Sequence, residues 1–225
     1  MMSTLVTASE PLTHQQMAEM AARDIPAGAY ANLGIGLPTT ISNYLDANHR
    51  VILHTENGML GMGPEAHSDR SDPELINACK IPVTELPGAS YFHHADSFAM
   101  MRGGHLDVCV LGAYQVSKTG DLANWSTGAP GAIPAVGGAM DLAIGAKSVA
   151  VMMRLRTREG ESKFVQKCTY PLTGVACVSR IYTDLAMFLI EPEGVRVRSY
   201  HGITHEELKK LIGFTLLHPE APIRP

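Results

Sequence analysis

The spacing of apolar residues predicts an amphipathic helix near the start of the chain. Thr13 and Gln16 have the identities and the spacing of a capping box, in which two side chains satisfy free backbone N–H groups of the first turn. Apolar residues then recur at helical spacing from Met17 to Ala21, until Pro26 ends the pattern. We therefore expect the first helix to have one apolar face.

Short apolar runs and helical segments alternate along the rest of the chain, which is typical of α/β proteins. The predicted strands cover residues 29–33, 51–55, 107–111 and 148–153, and the predicted helices cover 39–46, 95–102, 140–144 and 205–212. Continuous runs such as VCVL and VAVMM are typical of strands covered on both faces. The pattern therefore predicts an open, mostly parallel or mixed sheet with flanking helices.

Two further segments complete the pattern. Residues 185–190 and 195–199 flank a Pro-Glu-Gly sequence and predict a hairpin. Residues 65–78 are polar and rich in turn formers, so we expect a loop or a short helix there. No repeat or long linker divides the sequence. We expect one domain over residues 1–225, with its core at about 12–213.

Composition narrows the class of protein. Of the 225 residues, 45% are hydrophobic and 18% are charged, which indicates a folded globular chain. The 18 Lys and Arg residues against 22 Asp and Glu give a formal charge of −4, and no basic run offers a surface for nucleic acid or for a membrane. The first residues lack the features of a signal peptide, so we expect a cytoplasmic protein.

Several common active-site motifs are absent from the sequence. Gly34 and Gly36 begin a G-x-G pattern, but Thr39 stands where the dinucleotide fingerprint needs a third glycine. The chain has neither a Walker A sequence nor a G-x-S-x-G elbow, and the segment that begins at His205 lacks the second histidine of a zincin. Hydride transfer, phosphoryl transfer, serine hydrolysis and zinc hydrolysis are therefore not supported.

The spacing of the cysteines and histidines does not predict a metal site. The four cysteines form no C-x-x-C pair, so we expect reduced, buried thiols. His93 and His94 are adjacent, and adjacent side chains point in different directions, which favours a structural or exposed pair over chelation. Arg154, Arg156 and Arg158 alternate; they could face a phosphate together or lie on a solvated strand end.

Glu56 is the strongest candidate for chemistry. It follows a predicted buried strand and opens a predicted glycine-rich loop, and open α/β sheets bind their ligands at this end of their strands. Asn57 and Gly58 tolerate positive φ and allow a sharp turn there. The carboxylate could act as a general base, as a nucleophile that attacks an acyl carbon, or as a cap for the turn.

Three segments in order carry a family resemblance: ANLGIG at 31–36, ENGMLGMGP at 56–64 and GGAMDL at 137–142. Together they resemble the β subunit of family I coenzyme A (CoA) transferases, the 3-oxoacid group. The similarity runs from about Met17 to Leu189, and the second segment is long and specific. Thr55 stands where the family usually has Ser, so the hydroxyl is kept.

The resemblance implies the CoA-transferase (NagB/RpiA-like) fold and a ping-pong reaction in which Glu56 is the nucleophile and carries CoA as a thioester. It also implies an oxyanion donor, the backbone amide of Gly137, with the adjacent Gly138 as the alternative. CoA is then a substrate and covalent intermediate, with no permanently bound cofactor and no metal. The remaining implied contacts with CoA or substrate fall on Asn32, Gly34, Gly36, Lys80 and Asn124.

The resemblance further implies a separate α subunit, in a heterodimer or heterotetramer, because the family's active site lies between two homologous halves. The implied reaction moves CoA from succinyl-CoA to a 3-oxo acid, 3-oxoadipate or acetoacetate. Two alternatives stay open: a transferase chain that acts on acetate, acetoacetate or dehydrocarnitine, and a metabolite-sensing module without catalysis.

Overall fold

The computed structural model describes residues 7–8, 10–67, 71–131, 133–134 and 136–218. The expectation of no signal peptide concerns the first residues of the chain, of which 1–6 and 9 lie outside these ranges. None of the helices within them has the length and apolar character needed to cross a membrane.

Four α-helices and thirteen strands are present in the described ranges. The helices are α1 His14–Asp24, α2 His94–Arg102, α3 Ala139–Gly145 and α4 His205–Ile212, and two 3₁₀ segments cover Leu37–Tyr44 and Ala47–His49. The strands are β1 Thr7–Ala8, β2 Tyr30–Leu33, β3 Ile52–Thr55, β4 Met59–Glu65, β5 Val83–Tyr91, β6 Val108–Leu111, β7 Gln115–Ser117, β8 Leu122–Ala123, β9 Ser148–Met152, β10 Phe164–Val165, β11 Val178–Tyr182, β12 Ala186–Glu191 and β13 Gly194–His201.

Ten strands form one mixed sheet in the order β1-β13-β12-β11-β9-β6-β2-β3-β4-β5. Its centre, from β11 to β3, is parallel, antiparallel pairs extend it on both sides, and β1 pairs in parallel with β13 at one edge. The chain passes from β2 to β3 on one side, and then to β6 on the other side of β2. This reversal creates a switch point, where open sheets bind their ligands. The remaining strands, β10, β7 and β8, form a separate small sheet.

The large sheet is covered on both faces, as the apolar runs predicted. In β9, Val149 and Val151 belong to one buried cluster, together with residues of α2, α3 and α4. The alternate residues Ala150 and Met152 belong to the other cluster, together with α1. Burial of a large apolar side chain contributes about 1.5–3 kcal/mol, so these two clusters account for much of the stability of the three-layer arrangement.

Helix caps fix the ends of the first and last helices. The Thr13 hydroxyl accepts from the backbone N–H of Gln16, whose side chain accepts from the Thr13 N–H. Thr204 and Glu207 form the same reciprocal box at α4, which covers the predicted range 205–212. The fold class, an α/β sheet with flanking helices, is confirmed.

The sequence prediction was wrong in two places. Residues 39–44 of the predicted helix 39–46 are not α-helical but belong to the 3₁₀ segment Leu37–Tyr44, whose second residue is Pro38. The glycine-rich stretch after Glu56 is not a loop throughout, because Met59–Glu65 is strand β4. Residues 66–67 and 71–78 lie outside the helices and strands, as predicted for 65–78, although β4 includes Glu65 and Ile76 forms an isolated bridge with Pro82.

Candidate active site

Glu56 lies in the tight turn that joins β3 to β4. The Gly58 N–H donates to the Thr55 carbonyl at 3.2 Å, and the Met59 N–H donates to the Thr55 hydroxyl at 3.0 Å. Gly58 has φ of +112°, and a Cβ built there would lie 2.3 Å from the Phe92 carbonyl oxygen. The turn therefore requires glycine at this position, and it presents Glu56 half-buried at the end of β3.

The Glu56 carboxylate contacts the backbone at the start of α3. The Gly138 N–H donates to Glu56 Oε2 at 3.3 Å across 82 residues of sequence. A Cβ built on Gly138 would lie 3.0 Å from Glu56 Oε2 and 3.3 Å from Phe98 Cζ. Glycine at 138 therefore lets the backbone N–H approach the carboxylate closely.

A cavity of about 870 Å³ opens beside Glu56. Its lining comes from the carboxyl ends of the central strands and from the segment before α3, so it occupies the switch point of the sheet. The volume lies within the range of ordinary small-molecule sites. Residues that line it include Asn32, Gly34, Glu56, Leu111, Gly138 and Met153.

A chain of buried polar groups connects Asn32 to the strand that ends at Glu56. Asn32 and His54 are register partners on β2 and β3. Asn32 Nδ2 lies 3.1 Å from the His54 carbonyl oxygen and 2.9 Å from His54 Nδ1. On the other side of the ring, His54 Nε2 lies 3.0 Å from the Ser97 hydroxyl, which lies 3.1 Å from the Thr55 carbonyl oxygen. The three side chains are almost fully enclosed, with Asn32 only 3% exposed.

Burial lowers the pKa of His54 to about 4, while the contact with Ser97 acts in the opposite direction. The imidazole is therefore neutral at neutral pH. A neutral imidazole donates through one nitrogen and accepts through the other, and this is the arrangement that its two partners require.

Four cationic side chains line the same cavity. They are Arg154, Arg156, Arg158 and Lys163, and Glu56 is the one carboxylate among the described lining residues. Lys163 is half-buried, and burial lowers its pKa, with Asp184 acting in the opposite direction. The three arginines follow β9 rather than lying on it; all three are exposed, as expected of a solvated strand end, and all three also line this cavity.

The residues selected from the sequence divide into two groups. Those that line the cavity are Glu56, Asn32, Gly34, Asn124, Gly137 and Gly138. Gly36 and Lys80 are not among its described lining. The Gly36 N–H donates to Cys79 Sγ at 3.3 Å, and Lys80 is exposed with φ of +62°. The amide that meets Glu56 is that of Gly138, the second of the two glycines considered, while Gly137 has φ of +47°.

Asn124 is held firmly at the cavity wall. Its side-chain N–H donates to the Gly112 carbonyl at 3.1 Å, and its Oδ1 accepts from the Thr173 hydroxyl at 2.6 Å. These contacts occupy one amide hydrogen and leave the other for a ligand.

His54, Ser97 and Lys163 were not selected from the sequence. A histidine inside the apolar run VILHT was the one visible signal for His54, since a polar side chain in a buried strand needs a partner. Ser97 lies on α2, 43 residues away from His54, so no local pattern connects them.

No metal cluster emerges from the described part of the chain, where no three His, Cys, Asp or Glu residues are arranged to hold an ion. The ring of His93 caps α2 by accepting from the Ala95 N–H at 3.1 Å, and His94 packs against Phe98. All four cysteines are free thiols, although only Cys109 is fully buried.

Fold and site together define an α/β protein that presents a half-buried carboxylate at the switch point of a mixed sheet. Residues 14–204 match the model of the coenzyme A transferase family, so the chain belongs to that family and is an enzyme. Family membership favours catalysis over the metabolite-sensing alternative.

Curated relatives agree with this assignment. The chain is 59% identical to a 3-oxoadipate CoA-transferase subunit from Pseudomonas putida, over 94% of this chain and 100% of that protein. It is 44% identical to a probable succinyl-CoA:3-ketoacid coenzyme A transferase subunit from Bacillus subtilis, over 86% and 90% of the two chains. A human relative, succinyl-CoA:3-ketoacid coenzyme A transferase 2, is 47% identical over 86% of this chain, which spans only 38% of that protein.

Solved structures share the fold at low identity. An acyl-CoA transferase from Escherichia coli O157:H7 superposes with a TM-score of 0.72 at 19% identity, over 96% of this chain and 44% of that chain. Glutaconate coenzyme A-transferase from Acidaminococcus fermentans superposes with a TM-score of 0.63 at 16% identity, over 94% and 90% of the two chains. Coordinates of the first protein also exist as a thioester complex with CoA.

Proposed function

We propose that this chain is the glutamate-carrying half of a 3-oxoacid CoA-transferase, and that Glu56 carries CoA as a thioester between two half-reactions. The observation that carries the proposal is the carboxylate of Glu56, half-buried in the cavity, with the Gly138 N–H directed at its Oε2. If Glu56 served only to cap the turn, this contact would not be needed, because the Thr55 carbonyl and hydroxyl groups already close the turn.

In the first half-reaction, a Glu56 oxygen attacks the thioester carbon of the donor. The new C–O bond replaces the C–S bond, which gives an acyl-glutamyl anhydride and CoA thiolate. The thiolate sulfur then attacks Glu56 Cδ, and the donor acid leaves as its carboxylate. The acceptor carboxylate reverses both steps, so the free energy of the thioester is retained and no proton is consumed overall.

In this proposal, the Gly138 amide stabilises negative charge during these steps. Attack at Glu56 Cδ moves negative charge onto the carboxyl oxygens, and the N–H is already directed at Oε2. Loss of one such donor typically costs about 100- to 1000-fold in rate. No side-chain rearrangement is needed for this contact.

The cationic lining supports a dicarboxylic 3-oxo acid such as 3-oxoadipate as the acceptor, with succinyl-CoA as the donor. Four cations and one carboxylate line the cavity of a chain whose overall formal charge is −4, so positive charge is concentrated there. A second carboxylate on the substrate would interact with this positive charge, whereas acetoacetate has no second carboxylate. The relatives named as 3-oxoadipate CoA-transferase subunits agree with this choice.

We also propose that an α-type partner chain completes the site. Relatives of comparable length are themselves named as single subunits of a transferase. Ile35 and Tyr114 line the cavity and are nevertheless 62% and 41% exposed, and apolar surface of this kind beside a site is suited to cover by another chain.

Isotope exchange tests the covalent route. With its partner present, the chain should exchange labelled succinate into succinyl-CoA in the absence of any acceptor, because the first half-reaction needs none. The Glu56→Gln variant should lose at least about 1000-fold in exchange while its thermal unfolding stays unchanged. Exchange that requires the acceptor would contradict a ping-pong reaction, and retention of exchange by Glu56→Gln would contradict the role of this residue.

A further inference from the structure

The orientation of the Asn32 amide follows from its partners. The His54 carbonyl oxygen can only accept, so the atom 3.1 Å from it must be the amide nitrogen of Asn32. The same nitrogen lies 2.9 Å from His54 Nδ1, so Nδ1 accepts the second amide hydrogen and the ring proton lies on Nε2. Both N–H donors of Asn32 are therefore occupied.

The rest of the network is determined in the same way. His54 Nε2–H donates to the Ser97 hydroxyl oxygen at 3.0 Å, and Ser97 in turn donates its hydrogen to the Thr55 carbonyl at 3.1 Å. Because that carbonyl can only accept, the direction of every hydrogen bond is set from both ends. A single arrangement thus ties Asn32 to the residue that precedes Glu56.

The network engages the amide nitrogen of Asn32 but not its oxygen, Oδ1. This oxygen accepts no hydrogen bond from the described residues, and it is not among the enclosed atoms that lack a partner. Asn32 lines the cavity beside Glu56, and with Nδ2 engaged by His54 the Oδ1 atom is the side-chain polar atom left to face that space. Asn32 offers that space an acceptor only and cannot donate to an oxyanion without breaking the network.

The reactants contain few hydrogen-bond donors that could bind Asn32 Oδ1. Carboxylic acids at neutral pH are ionised and have no O–H to donate. A CoA thioester, in contrast, has an amide N–H separated from its sulfur by two methylene groups. It is the donor nearest to the reacting carbon.

We propose that Asn32 Oδ1 accepts the hydrogen bond from this amide N–H of the pantetheine arm, and that His54 and Ser97 are positioning residues that fix the acceptor. The inference rests on the proposed function, since it needs CoA at Glu56. In this role, Asn32 aligns the CoA sulfur with Glu56 and does not stabilise negative charge.

A substrate analogue tests the contact with Asn32. In the reconstituted two-subunit enzyme, an acyl-CoA analogue with an ester oxygen in place of this N–H should have kcat/KM about 10-fold lower, the size of one lost hydrogen bond. Asn32→Leu should lose about 10-fold with normal acyl-CoA and nothing further with the analogue. Additive losses in the double-mutant cycle, or an analogue as good as the amide, would overturn the proposal.

The positioning role has its own readout. His54→Leu removes the acceptor for Asn32 and should lose about 10-fold with normal acyl-CoA but not with the ester analogue. His54→Asn keeps an acceptor oxygen near the Nδ1 position and should recover most of the loss. Equal losses on both substrates would show a merely structural role and contradict the proposal. Borohydride trapping of the Glu56 thioester in the variants separates this failure from failure of the proposed function.

Discussion

At the scale of single residues, the geometry of the site depends on the protonation state of His54. His54 accepts from Asn32 and donates to Ser97, and this requires a neutral ring. Protonation of His54 would turn Nδ1 into a donor, and this donor would face the Asn32 amide nitrogen, which is also a donor. The buried ring thus connects the geometry of the site to pH.

This connection predicts how stability depends on pH. The folded pKa of His54, about 4, lies below the ordinary value of 6.5, so the unfolded chain binds the proton first as pH falls. The chain should therefore lose stability through His54 between about pH 6.5 and pH 4, by about 2 kcal/mol at pH 4.5.

Urea unfolding of the wild-type chain and of His54→Asn at pH 7 and pH 4.5 measures this contribution. The difference between the two proteins cancels the other buried histidine with a lowered pKa, His201, and the acidic groups. The wild type should lose about 2 kcal/mol more than the variant. Parallel losses would show that His54 is not held neutral by burial.

At the scale of elements, the site arises where the turn between β3 and β4 meets the start of α3. Gly138 has φ of −86°, a value open to alanine, so Gly138→Ala should fold. Its methyl group would lie 3.0 Å from Glu56 Oε2 and displace the carboxylate. We expect turnover to fall about 100-fold with little change in thermal unfolding.

Gly112→Ala is the matched control for this prediction. Gly112 follows β6 and also lines the cavity, and a Cβ built there meets only the Ile35 carbonyl oxygen, at 3.9 Å, so the variant adds a methyl group to the cavity without contact with Glu56. Its turnover should stay within about threefold of the wild type. If both variants lose turnover equally, crowding of Glu56 is not the cause.

Local signals predicted those elements that local chemistry determines. Helix α4 has a capping box at Thr204 and a left-handed glycine at Gly213, and its predicted range was confirmed. The hairpin of β12 and β13 was also confirmed, and the strands extend one to two residues beyond most of the predicted limits.

Elements that depend on distant partners were missed. Strand β4 contains Gly61 and Gly63, which suppress the strand signal, and it forms because β3 and β5 pair with it on both sides. The three-stranded sheet has strands of two or three residues, too short for periodicity to detect. The sequence likewise predicted Glu56 and the Gly137-Gly138 pair as candidates with Gly137 preferred, whereas the amide of Gly138 is the one that meets the carboxylate.

At the scale of the whole molecule, charge is distributed unevenly. The chain has a formal charge of −4, yet its cavity collects Arg154, Arg156, Arg158 and Lys163 around one carboxylate. Arg154 Nε also lies 3.1 Å from His14 Nε2, so α1 helps to hold it. Lys163 makes no ion pair with any described residue, which leaves its ammonium group for an anionic ligand.

Acceptor selectivity should therefore depend on Lys163. Lys163→Met should lower kcat/KM for 3-oxoadipate about 10-fold, the size of one charge-assisted contact, and leave 3-oxohexanoate, which lacks the second carboxylate, within about twofold. Lys118→Met, at an exposed site outside the described lining, should change neither. An equal loss on both acceptors, with a raised KM for acyl-CoA, would assign Lys163 to the CoA phosphates instead.

The central claim is that Glu56 is converted to a thioester during each cycle. The most direct measurement incubates the reconstituted enzyme with succinyl-CoA, adds borohydride and locates the product by peptide mass spectrometry. We expect the peptide containing Glu56, and no other, to have its side-chain carboxyl reduced to a primary alcohol. Recovery of that peptide unchanged from an enzyme that turns over, or a label on a different residue, would contradict it.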